Sequence, residues 1–448
     1  MEGSLLTKYE AIINYIKDEI MNGSIKQGKK LPSIRTISEK FNCSKVTATK
    51  AYALLEKEHI AYSIPKSGYY AIVRNLIKEE KLVSEKIDFF TSTPDSSVVP
   101  YEDFQHCINQ AMSYYKENLF HNSDTQGLKD LLTVVAKQLQ NYQVFTNEEN
   151  IFITSGSQQA INILTMMEFP NGNRNVLVEQ PTYHGVIKSL ELNNVKILGI
   201  DRSENGINFH ELERIFRNEN IKFFYTIPRF HNPTGYSYTN KEKQRILKLC
   251  EKYDVYIVED DYLGDLDVDK RSYPIYSLDA SARVIYLKTY SKILLPGLRI
   301  AATVIPSKLI SKFREHKKWT DINTSMLSQG ALQIYIKSGM FDRHIKEIKN
   351  LYHLRMNFLY DLVKNQNYPN DKYYIPKGGF FASFEINNNK SVRDIIKSLY
   401  TKNILIGDSS RYYLNNNINN KFIRISISKL NNNEIEKGIS IILNEISS

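Results

Sequence analysis

A lysine, an arginine and an aspartate in this chain have the spacing of groups that act on an aldehyde cofactor. Lys292 stands between Ser291 and the apolar run that leads to Arg299, and Asp260 precedes it in Glu259-Asp260-Asp261-Tyr262. A lysine amine can form a Schiff base with an aldehyde, a guanidinium can bind phosphate, and a carboxylate can keep a pyridine nitrogen protonated. These three groups together indicate a binding site for pyridoxal 5′-phosphate.

Further candidate ligands follow predicted strands in the same part of the chain. Residues 154–159 follow one strand and open a helix, whose first backbone amides can hold a phosphate. Tyr183 can stack on the ring, although a lone tyrosine there is more often a core residue. Asn232 can donate to the phenolate oxygen of the ring, although it is otherwise typical of a turn. Because ligands of a parallel sheet lie beyond the carboxyl ends of its strands, the combination predicts one site. The predicted cofactor-binding residues are Ser157, Gln158, Tyr183, Asn232, Asp260, Tyr262, Thr289, Ser291, Lys292 and Arg299, with Lys292, Asp260 and Tyr262 as the catalytic residues.

The elements that must position these residues begin near Ile87. Apolar strand-like segments alternate there with amphipathic helices, which predicts an α/β domain with a mostly parallel, doubly wound sheet. From about Trp319 the pattern becomes helical and then gives further strands, which indicates a smaller α+β domain. The predicted strands are 150–154, 176–179, 195–200, 223–226, 255–258, 284–287, 299–304, 379–384 and 422–426, and 415–420 is a predicted polar loop.

The first 73 residues show a different pattern, three short amphipathic helices followed by a hairpin. Apolar residues recur at intervals of three and four from Leu5 to Ile20, and Ser33 and Ser44 can cap the second and third helices. Strands 60–64 and 69–73 flank a turn that contains Lys66. This pattern predicts a winged helix-turn-helix, although any small three-helix domain has similar apolar spacing. The predicted DNA contacts are Arg35, Ser44, Lys45, Thr47, Thr49, Lys50 and Lys66.

Composition narrows the classes of protein. The 448 residues are 42% hydrophobic and 24% charged, with a net charge of +10, which is typical of a globular protein and weakly favours a polyanionic partner. No apolar run has the length of a membrane span. The three cysteines, Cys43, Cys107 and Cys250, are far apart and fit neither a disulfide framework nor a zinc site. We therefore expect a cytoplasmic protein without a structural metal or a membrane partner.

Two sets of motifs resemble known families. Leu31-Pro32-Ser33-Ile34-Arg35, the helix start Ser44-Lys45-Val46-Thr47 and the wing Lys66-Ser67-Gly68 resemble GntR-type DNA-binding domains. The cofactor motifs resemble fold type I aminotransferases of class I and II, so the whole chain looks like the MocR-type subfamily of GntR regulators. The chain departs from these families at His59, where a glycine is usual, and at Lys45, where an arginine is usual. It also lacks, around Phe120-His121-Asn122, the tyrosine that commonly reaches the neighbouring subunit's phosphate.

The resemblance implies roles for individual residues. Lys292 would carry the Schiff base, Asp260 would bind the ring nitrogen, and Tyr183 would stack on the ring. Tyr262 and Asn232 would bind the ring oxygen, and Arg424, in the segment 422–426, would receive the carboxylate of an amino acid. The resemblance also implies a homodimer that binds two half-sites of a double-stranded DNA operator, with the head of one chain near the body of the other. The implied phosphate ligands are Ser157, Thr289, Ser291 and Arg299.

The favoured function is a transcriptional regulator that senses pyridoxal 5′-phosphate, or an amino compound, through an aldimine. Residues 1–73 would bind DNA, 74–87 would be a linker, and 88–448 would form the aminotransferase-like domain, with a large part at about 120–318 and a small part at about 319–448. The alternative is a working aminotransferase that acts on an amino acid and a 2-oxo acid. The N-terminal module argues against catalysis as the main role, and the complete set of cofactor residues argues against a GntR repressor with an inert body.

Overall fold

The computed structural model describes residues 7–26, 29–57, 60–64, 67–71, 86–120, 124–269, 271–366, 368–386, 390–414 and 422–447. The chain divides into two compact units, Met1–Ser84 and Glu85–Ser448. Several predicted features lie outside the described residues: Leu5, His59, Lys66, His121, Asn122, the loop 415–420 and all of the linker 74–87 except Lys86 and Ile87.

The first unit is a winged helix-turn-helix, as the sequence predicts. Its helices are α1 (Lys8–Met21), α2 (Ile34–Lys40) and α3 (Lys45–Lys57), and β1 (Ala61–Ile64) pairs antiparallel with β2 (Gly68–Ala71). Ser33 and Ser44 cap α2 and α3 by accepting hydrogen bonds from the backbone amides of Thr36 and Thr47, each at 3.1 Å. The inward stripe of α3 packs on α1 and α2, and the buried residues of this core include Ile12, Ile16, Ile37, Ala48, Ala51, Tyr52 and Leu55.

The second unit contains one large sheet. Its strands are β4 (Ile151–Thr154), β5 (Asn175–Gln180), β6 (Ile197–Ser203), β7 (Gly206–Ile207), β8 (Ile221–Thr226), β9 (Tyr256–Asp260), β10 (Val284–Thr289) and β11 (Ala301–Val304). The order across the sheet is β4-β11-β10-β9-β8-β5-β6-β7. The pairs from β10 through β9, β8 and β5 to β6 are parallel, which confirms the predicted mostly parallel sheet. Strand β11 runs antiparallel to both of its neighbours, which the strand pattern alone did not predict.

Both faces of this sheet are covered. On β8, Phe223 and Tyr225 belong to one buried cluster, whereas Phe224 between them belongs to the other. Because successive side chains of a strand point to opposite faces, each face packs against its own layer. The helices of this part are α4 (Tyr101–Tyr115), α5 (Lys129–Gln140), α6 (Ser157–Met166), α7 (His184–Leu192), α8 (Phe209–Asn218), α9 (Asn240–Lys252), α10 (Ile310–Asp321) and α11 (Met326–Lys337).

The C-terminal part is a smaller α+β arrangement, as predicted. It contains α12 (Met340–Asn365), α13 (Val392–Thr401) and α14 (Asn432–Ser447), with an antiparallel sheet of β12 (Tyr373–Tyr374), β13 (Phe381–Glu385) and β15 (Phe422–Ser426). A short strand β3 (Ile87–Asp88) pairs in parallel with β14 (Ile404–Leu405), which joins the start of the unit to this part. None of the helices that the structure describes has both the length and the apolar character that crossing a bilayer requires.

Candidate functional site

A cavity of about 400 Å³ lies where several strands of the large sheet end. Strand β9 ends at Asp260 and β10 ends at Thr289, and both residues line the cavity. All of the predicted cofactor residues, which come from distant parts of the chain, meet in its walls together with Arg424. These predicted lining residues are Ser157, Gln158, Tyr183, Asn232, Asp260, Tyr262, Thr289, Ser291, Lys292, Arg299 and Arg424.

Lys292 lies in a turn just after β10, which ends at Thr289. Its Nζ donates hydrogen bonds to the backbone oxygen of Ser92 at 3.0 Å and to the hydroxyl of Ser92 at 3.1 Å. The pKa of Lys292 is lowered to about 8. Burial is the largest cause, the nearby guanidiniums of Arg424 and Arg299 also lower the pKa, and Asp260 raises it. A larger share of this amine is therefore uncharged near neutral pH than in an ordinary lysine, which favours nucleophilic attack.

Asp260 is buried with one of its two carboxylate oxygens unused. Tyr225 donates its hydroxyl to Oδ2 at 2.7 Å, whereas Oδ1 has no hydrogen-bond partner among the described residues. Burial raises the pKa of Asp260 to about 6, the neighbouring Asp261 adds to this, and the bond from Tyr225 and the charge of Lys292 oppose it. Because a buried acceptor without a donor is costly, this oxygen fits a ligand that brings an N–H group to the cavity.

A second set of unused polar atoms lies near the start of α6. The hydroxyls of Ser157 and Ser291 are buried and have no partner among the described residues. Gly156, at φ 80°, allows the backbone to approach Arg299 so closely that a Cβ at this position would lie 2.8 Å from the Arg299 Nη2. Two free hydroxyls, a helix N-terminus and a guanidinium together form a cradle for an anion of phosphate size.

The remaining predicted ligands are partly engaged with the protein itself. Gln158 donates its side-chain amide to the backbone oxygen of Gly185 at 3.1 Å. The hydroxyl of Tyr262 donates to the backbone oxygen of Phe230 at 2.7 Å, so its proton is already used in this structure. Asn232 accepts from Arg424 through its amide oxygen, at 3.3 Å, which leaves the amide NH₂ as its donor. Of the two residues predicted to bind a ring oxygen, Asn232 is thus the readier donor.

Arg424 lies on β15, is buried, and lines the cavity. Its Nη2 donates to the backbone oxygen of Phe90 at 2.7 Å, and its guanidinium carbon lies 4.3 Å from the centre of the Phe381 ring. Burial lowers the pKa of Arg424 below its ordinary value. Among the residues that the structure describes, no carboxylate forms an ion pair with this guanidinium, which suits the predicted role of receiving one from a ligand.

Sequence reasoning missed several cavity or supporting residues, among them Ser92, His184, Tyr225 and Arg411. Ser92 follows β3, whose pairing with β14 depends on chain segments far apart in sequence. Tyr225 lies on β8 next to β9, which carries Asp260, but the aromatic run Phe223-Phe224-Tyr225 does not alternate with polar residues and so does not reveal which face each side chain takes. His184 directly follows the predicted Tyr183, and burial together with Arg411, Arg424 and Lys292 lowers its pKa to about 4. It is therefore a neutral residue at physiological pH.

In the first unit, most of the predicted DNA contacts lie on the exposed side of α3. Ser44, Lys45, Thr49 and Lys50 are exposed and Thr47 is half-buried. Ser44 caps the helix, and the Thr49 hydroxyl donates to the backbone oxygen of Lys45 at 2.8 Å, so both hydroxyls are used within the helix. The lysines therefore remain the main groups of α3 that can bind phosphate or bases.

Two further residues modify this predicted surface. Arg35, on α2, forms an exposed ion pair with Glu39 at 2.9 Å, which competes with binding to a DNA phosphate. Val46 is 78% exposed beside Lys45 and was not predicted as a contact. An exposed apolar side chain at the start of a recognition helix is a group that can contact a thymine methyl.

Together, these features define an aminotransferase-like body in a chain that also carries a helix-turn-helix. The family of aminotransferases of class I and II matches residues 95–442, and the gntR family of bacterial regulatory proteins matches residues 8–71. The chain belongs to the GntR regulators of MocR type, in which these two modules are joined. The predicted family, fold and function as a transcriptional regulator are thereby confirmed, and the first unit is the DNA-binding module.

Individual relatives have the same organisation. The uncharacterized HTH-type transcriptional regulator YcxD of Bacillus subtilis (strain 168) is 40% identical and covers 98% of this chain and 100% of its own length. The HTH-type transcriptional regulator NorG of Staphylococcus aureus (strain USA300) is 25% identical over 92% of this chain and 98% of its own. Full-length similarity to two regulators supports the joined architecture.

Solved aminotransferase structures match the second module. The kynurenine aminotransferase of Pyrococcus horikoshii, in complex with PMP and its substrates and products, has a TM-score of 0.75 and 26% identity, covering 83% of this chain and 93% of that one. LysN, an α-aminoadipate aminotransferase from Thermus thermophilus complexed with N-(5′-phosphopyridoxyl)-L-leucine, has a TM-score of 0.73 and 25% identity, covering 82% and 93%. The fold is thus one in which similar proteins hold pyridoxal-derived ligands.

Proposed function

We propose that this regulator holds pyridoxal 5′-phosphate in the cavity and responds to an amino compound, or to the cofactor itself, by changing its binding to DNA. The observation that carries the proposal is that Asp260, Ser157 and Ser291, which line the cavity with Lys292, each have a buried oxygen without a hydrogen-bond partner among the residues that the structure describes. Each of them fits one part of the cofactor: a ring N–H for Asp260 and a phosphate for the two serines. The pyridoxal-derived ligands of the similar aminotransferases add support.

Each side chain then has a proposed task. Lys292 supplies the amine that attaches the cofactor covalently, and its lowered pKa makes that amine available. Asp260 holds the proton of the ring nitrogen, and Tyr183 covers one face of the ring. The bound cofactor supplies an electrophilic carbon that an amino compound can attack in place of Lys292. The phosphate ligands are Ser157, Gln158, Thr289, Ser291 and Arg299, the ring oxygen binds Asn232 and Tyr262, and Arg424 binds the effector's carboxylate.

The proposed assembly is a homodimer that binds two DNA half-sites. Large apolar side chains are exposed on α4, at Tyr101, Met112 and Tyr114, and on α10 and α11, at Trp319 and Leu327. Helices α4 and α11 pack on each other, so the exposed side chains of these two helices belong to one region of the second unit. Exposed apolar surface of this kind typically marks a protein interface. A twofold dimer presents two recognition helices, which matches a two-part operator.

The regulatory proposal is tested by measuring DNA affinity together with turnover. We expect the purified protein to bind DNA from upstream of its own gene, with an affinity that changes several-fold when the cofactor or an amino compound is added.

The alternative, an aminotransferase, is favoured by the presence of Arg424 and Lys292 in one cavity. Transamination at the rates typical of enzymes, about 1 per second or faster, with unchanged DNA affinity would support the alternative and contradict the proposal.

Gly156→Ala is expected to weaken cofactor binding about tenfold or more. A Cβ at this position would lie 2.8 Å from Arg299 Nη2 and would strain a backbone with φ 80°, so the guanidinium must move away from the phosphate. Loss of one charge-assisted hydrogen bond costs roughly 1.5–3 kcal/mol, and 1.4 kcal/mol is about a tenfold change in Kd. The measurement is a titration of the cofactor-free protein followed by absorbance.

Gly297→Ala provides the matched control for this variant. Gly297 lies in the loop that carries Arg299, and a Cβ there would meet no atom of the described residues within 4 Å. We expect its Kd for the cofactor to equal that of the parent protein. Equal affinities of the Gly156→Ala and Gly297→Ala variants would contradict the proposed position of the phosphate.

A further inference from the structure

The cavity has a large excess of positive charge. Of its lining residues, Lys292, Arg299, Arg411 and Arg424 are cationic, whereas Asp260 is the acidic one. His184, which also lines the cavity, stays neutral because burial and the surrounding cations lower its pKa to about 4. Arg424 is buried and Lys292 is half-buried, whereas Arg299 and Arg411 are exposed. Cations that line one cavity repel one another unless anions neutralise them. The cavity is therefore suited to more than one anionic group.

The proposed cofactor accounts for only part of this charge. In the proposed site Arg299 binds its phosphate, Asp260 binds its protonated ring nitrogen, and Lys292 reacts with its aldehyde. The guanidiniums of Arg411 and Arg424 remain, and neither pairs with a carboxylate in the part of the chain that the structure describes. One carboxylate on the effector would satisfy one of them, so the second guanidinium indicates a second anionic group on the same ligand.

Arg411 is positioned by aromatic rings and a hydroxyl. Its guanidinium carbon lies 4.8 Å from the centre of the Phe90 ring and 5.0 Å from that of Tyr412, and its Nη2 donates to the Tyr412 hydroxyl at 2.9 Å. The Arg424 guanidinium lies beside the same two rings, at 5.9 Å and 5.3 Å. Contact with a ring occupies the face of a guanidinium and leaves its edges free to bind a carboxylate.

No carboxylate of the described residues forms an ion pair with Arg411. The acidic residue nearest to it in sequence, Asp408, accepts a hydrogen bond from the backbone amide of Ser410 at 2.8 Å, and its other oxygen lies 4.0 Å from Arg393 Nε. The Asp408 carboxylate is thus engaged with other groups. An arginine held in place at the cavity wall without an acidic partner is a suitable receptor for a ligand anion.

We infer that the effector is an amino acid with a second carboxylate, whose α-carboxylate binds Arg424 and whose side-chain carboxylate binds Arg411. This inference rests on the proposed function, since it needs the cofactor to hold the amino group near Lys292. Arg411 is then the residue that determines effector specificity. Arg411 favours binding of dicarboxylic amino acids over their amides, which have nearly the same shape but lack the negative charge of the side chain.

The test compares acid and amide pairs on the cofactor-loaded protein. L-Glutamate is compared with L-glutamine, and L-aspartate with L-asparagine, in titrations that follow the visible absorbance of the bound cofactor. We expect at least one acid to bind about threefold or more tightly than its amide, the scale of an ion pair with one exposed partner. Arg411→Gln should reduce that ratio to about one while leaving the Kd of the amide unchanged.

Arg393→Gln is the matched control. This arginine lies on α13 and near Asp408, its side chain is 78% exposed, and it does not line the cavity. We expect Arg393→Gln to keep the parent's preference for the acid. The inference is overturned if Arg411→Gln weakens binding of the acid and of the amide equally. It is also overturned if the parent protein binds both equally or responds to neither. The proposed function can still stand in each of these cases. If the added cofactor keeps the spectrum of the free aldehyde and is removed completely by gel filtration, the proposed function itself fails.

Discussion

Lys292→Ala is expected to abolish covalent attachment of pyridoxal 5′-phosphate, so that the purified protein lacks the long-wavelength absorbance band of the parent. Lys292 is the one lysine among the described residues that line the cavity, and burial lowers its pKa to about 8. Without its amine, the cavity keeps the phosphate cradle but has no nucleophile for the aldehyde. The band should therefore vanish completely, which is the largest change that any single substitution in the body should cause.

Lys292→Arg distinguishes loss of the nucleophile from loss of charge. The guanidinium keeps the positive charge that faces Asp260 and can still donate to Ser92, but it cannot form the covalent bond. We expect this variant to lack the same absorbance band as Lys292→Ala and to unfold at a temperature close to that of the parent. Either variant retaining the parent's absorbance band would show that the attachment site lies elsewhere.

Replacing both Lys45 and Lys50 by alanine is expected to reduce DNA affinity strongly without affecting the cofactor band. Both lysines are exposed on α3, and their neighbours Ser44 and Thr49 use their hydroxyls within the helix. Each lost phosphate contact reduces the slope of log K against log salt by about 0.9. We therefore expect the slope to fall by about 2 in salt-dependent binding measurements on the same DNA.

Lys26→Ala is the control for this pair, because Lys26 is an exposed lysine in the same unit that lies outside the three helices. Its removal should leave the salt slope nearly unchanged. Loss of the cofactor band in the Lys45 and Lys50 double variant would contradict the view that the two modules bind their ligands independently. An unchanged salt slope would show that α3 does not contact the DNA backbone through these lysines.

The sequence was sufficient to predict much of the cofactor site because its residues follow strand ends. Asp260 terminates a buried strand, Ser157 begins a helix after another, and Lys292 follows a third. In a parallel sheet these ends share one edge, so local patterns are enough to bring distant residues together. The same reasoning predicted the three helices of the DNA-binding unit, whose caps at Ser33 and Ser44 are local features.

What the sequence did not reveal depends on contacts between distant segments. Ser92 reaches Lys292 because β3 pairs with β14, and no local pattern encodes that pairing. Tyr225 supports Asp260 from a neighbouring strand whose residues are all buried, so periodicity could not assign its face. Arg411 lies in a short 3-10 helix, Ser409–Tyr412, which has no amphipathic pattern of its own, and its importance is visible only from the charges that line the cavity with it.

The most direct measurement of the central claim is borohydride reduction of the cofactor-loaded protein, followed by proteolysis and mass spectrometry of the peptides. The account predicts a phosphopyridoxyl group on the peptide that contains Lys292 and on no other lysine. Lys222 is the informative competitor, because it is also buried and its pKa is also lowered to about 8, although it lies outside the proposed cavity. An unmodified Lys292 peptide, or a modification found on Lys222 in its place, would contradict the account.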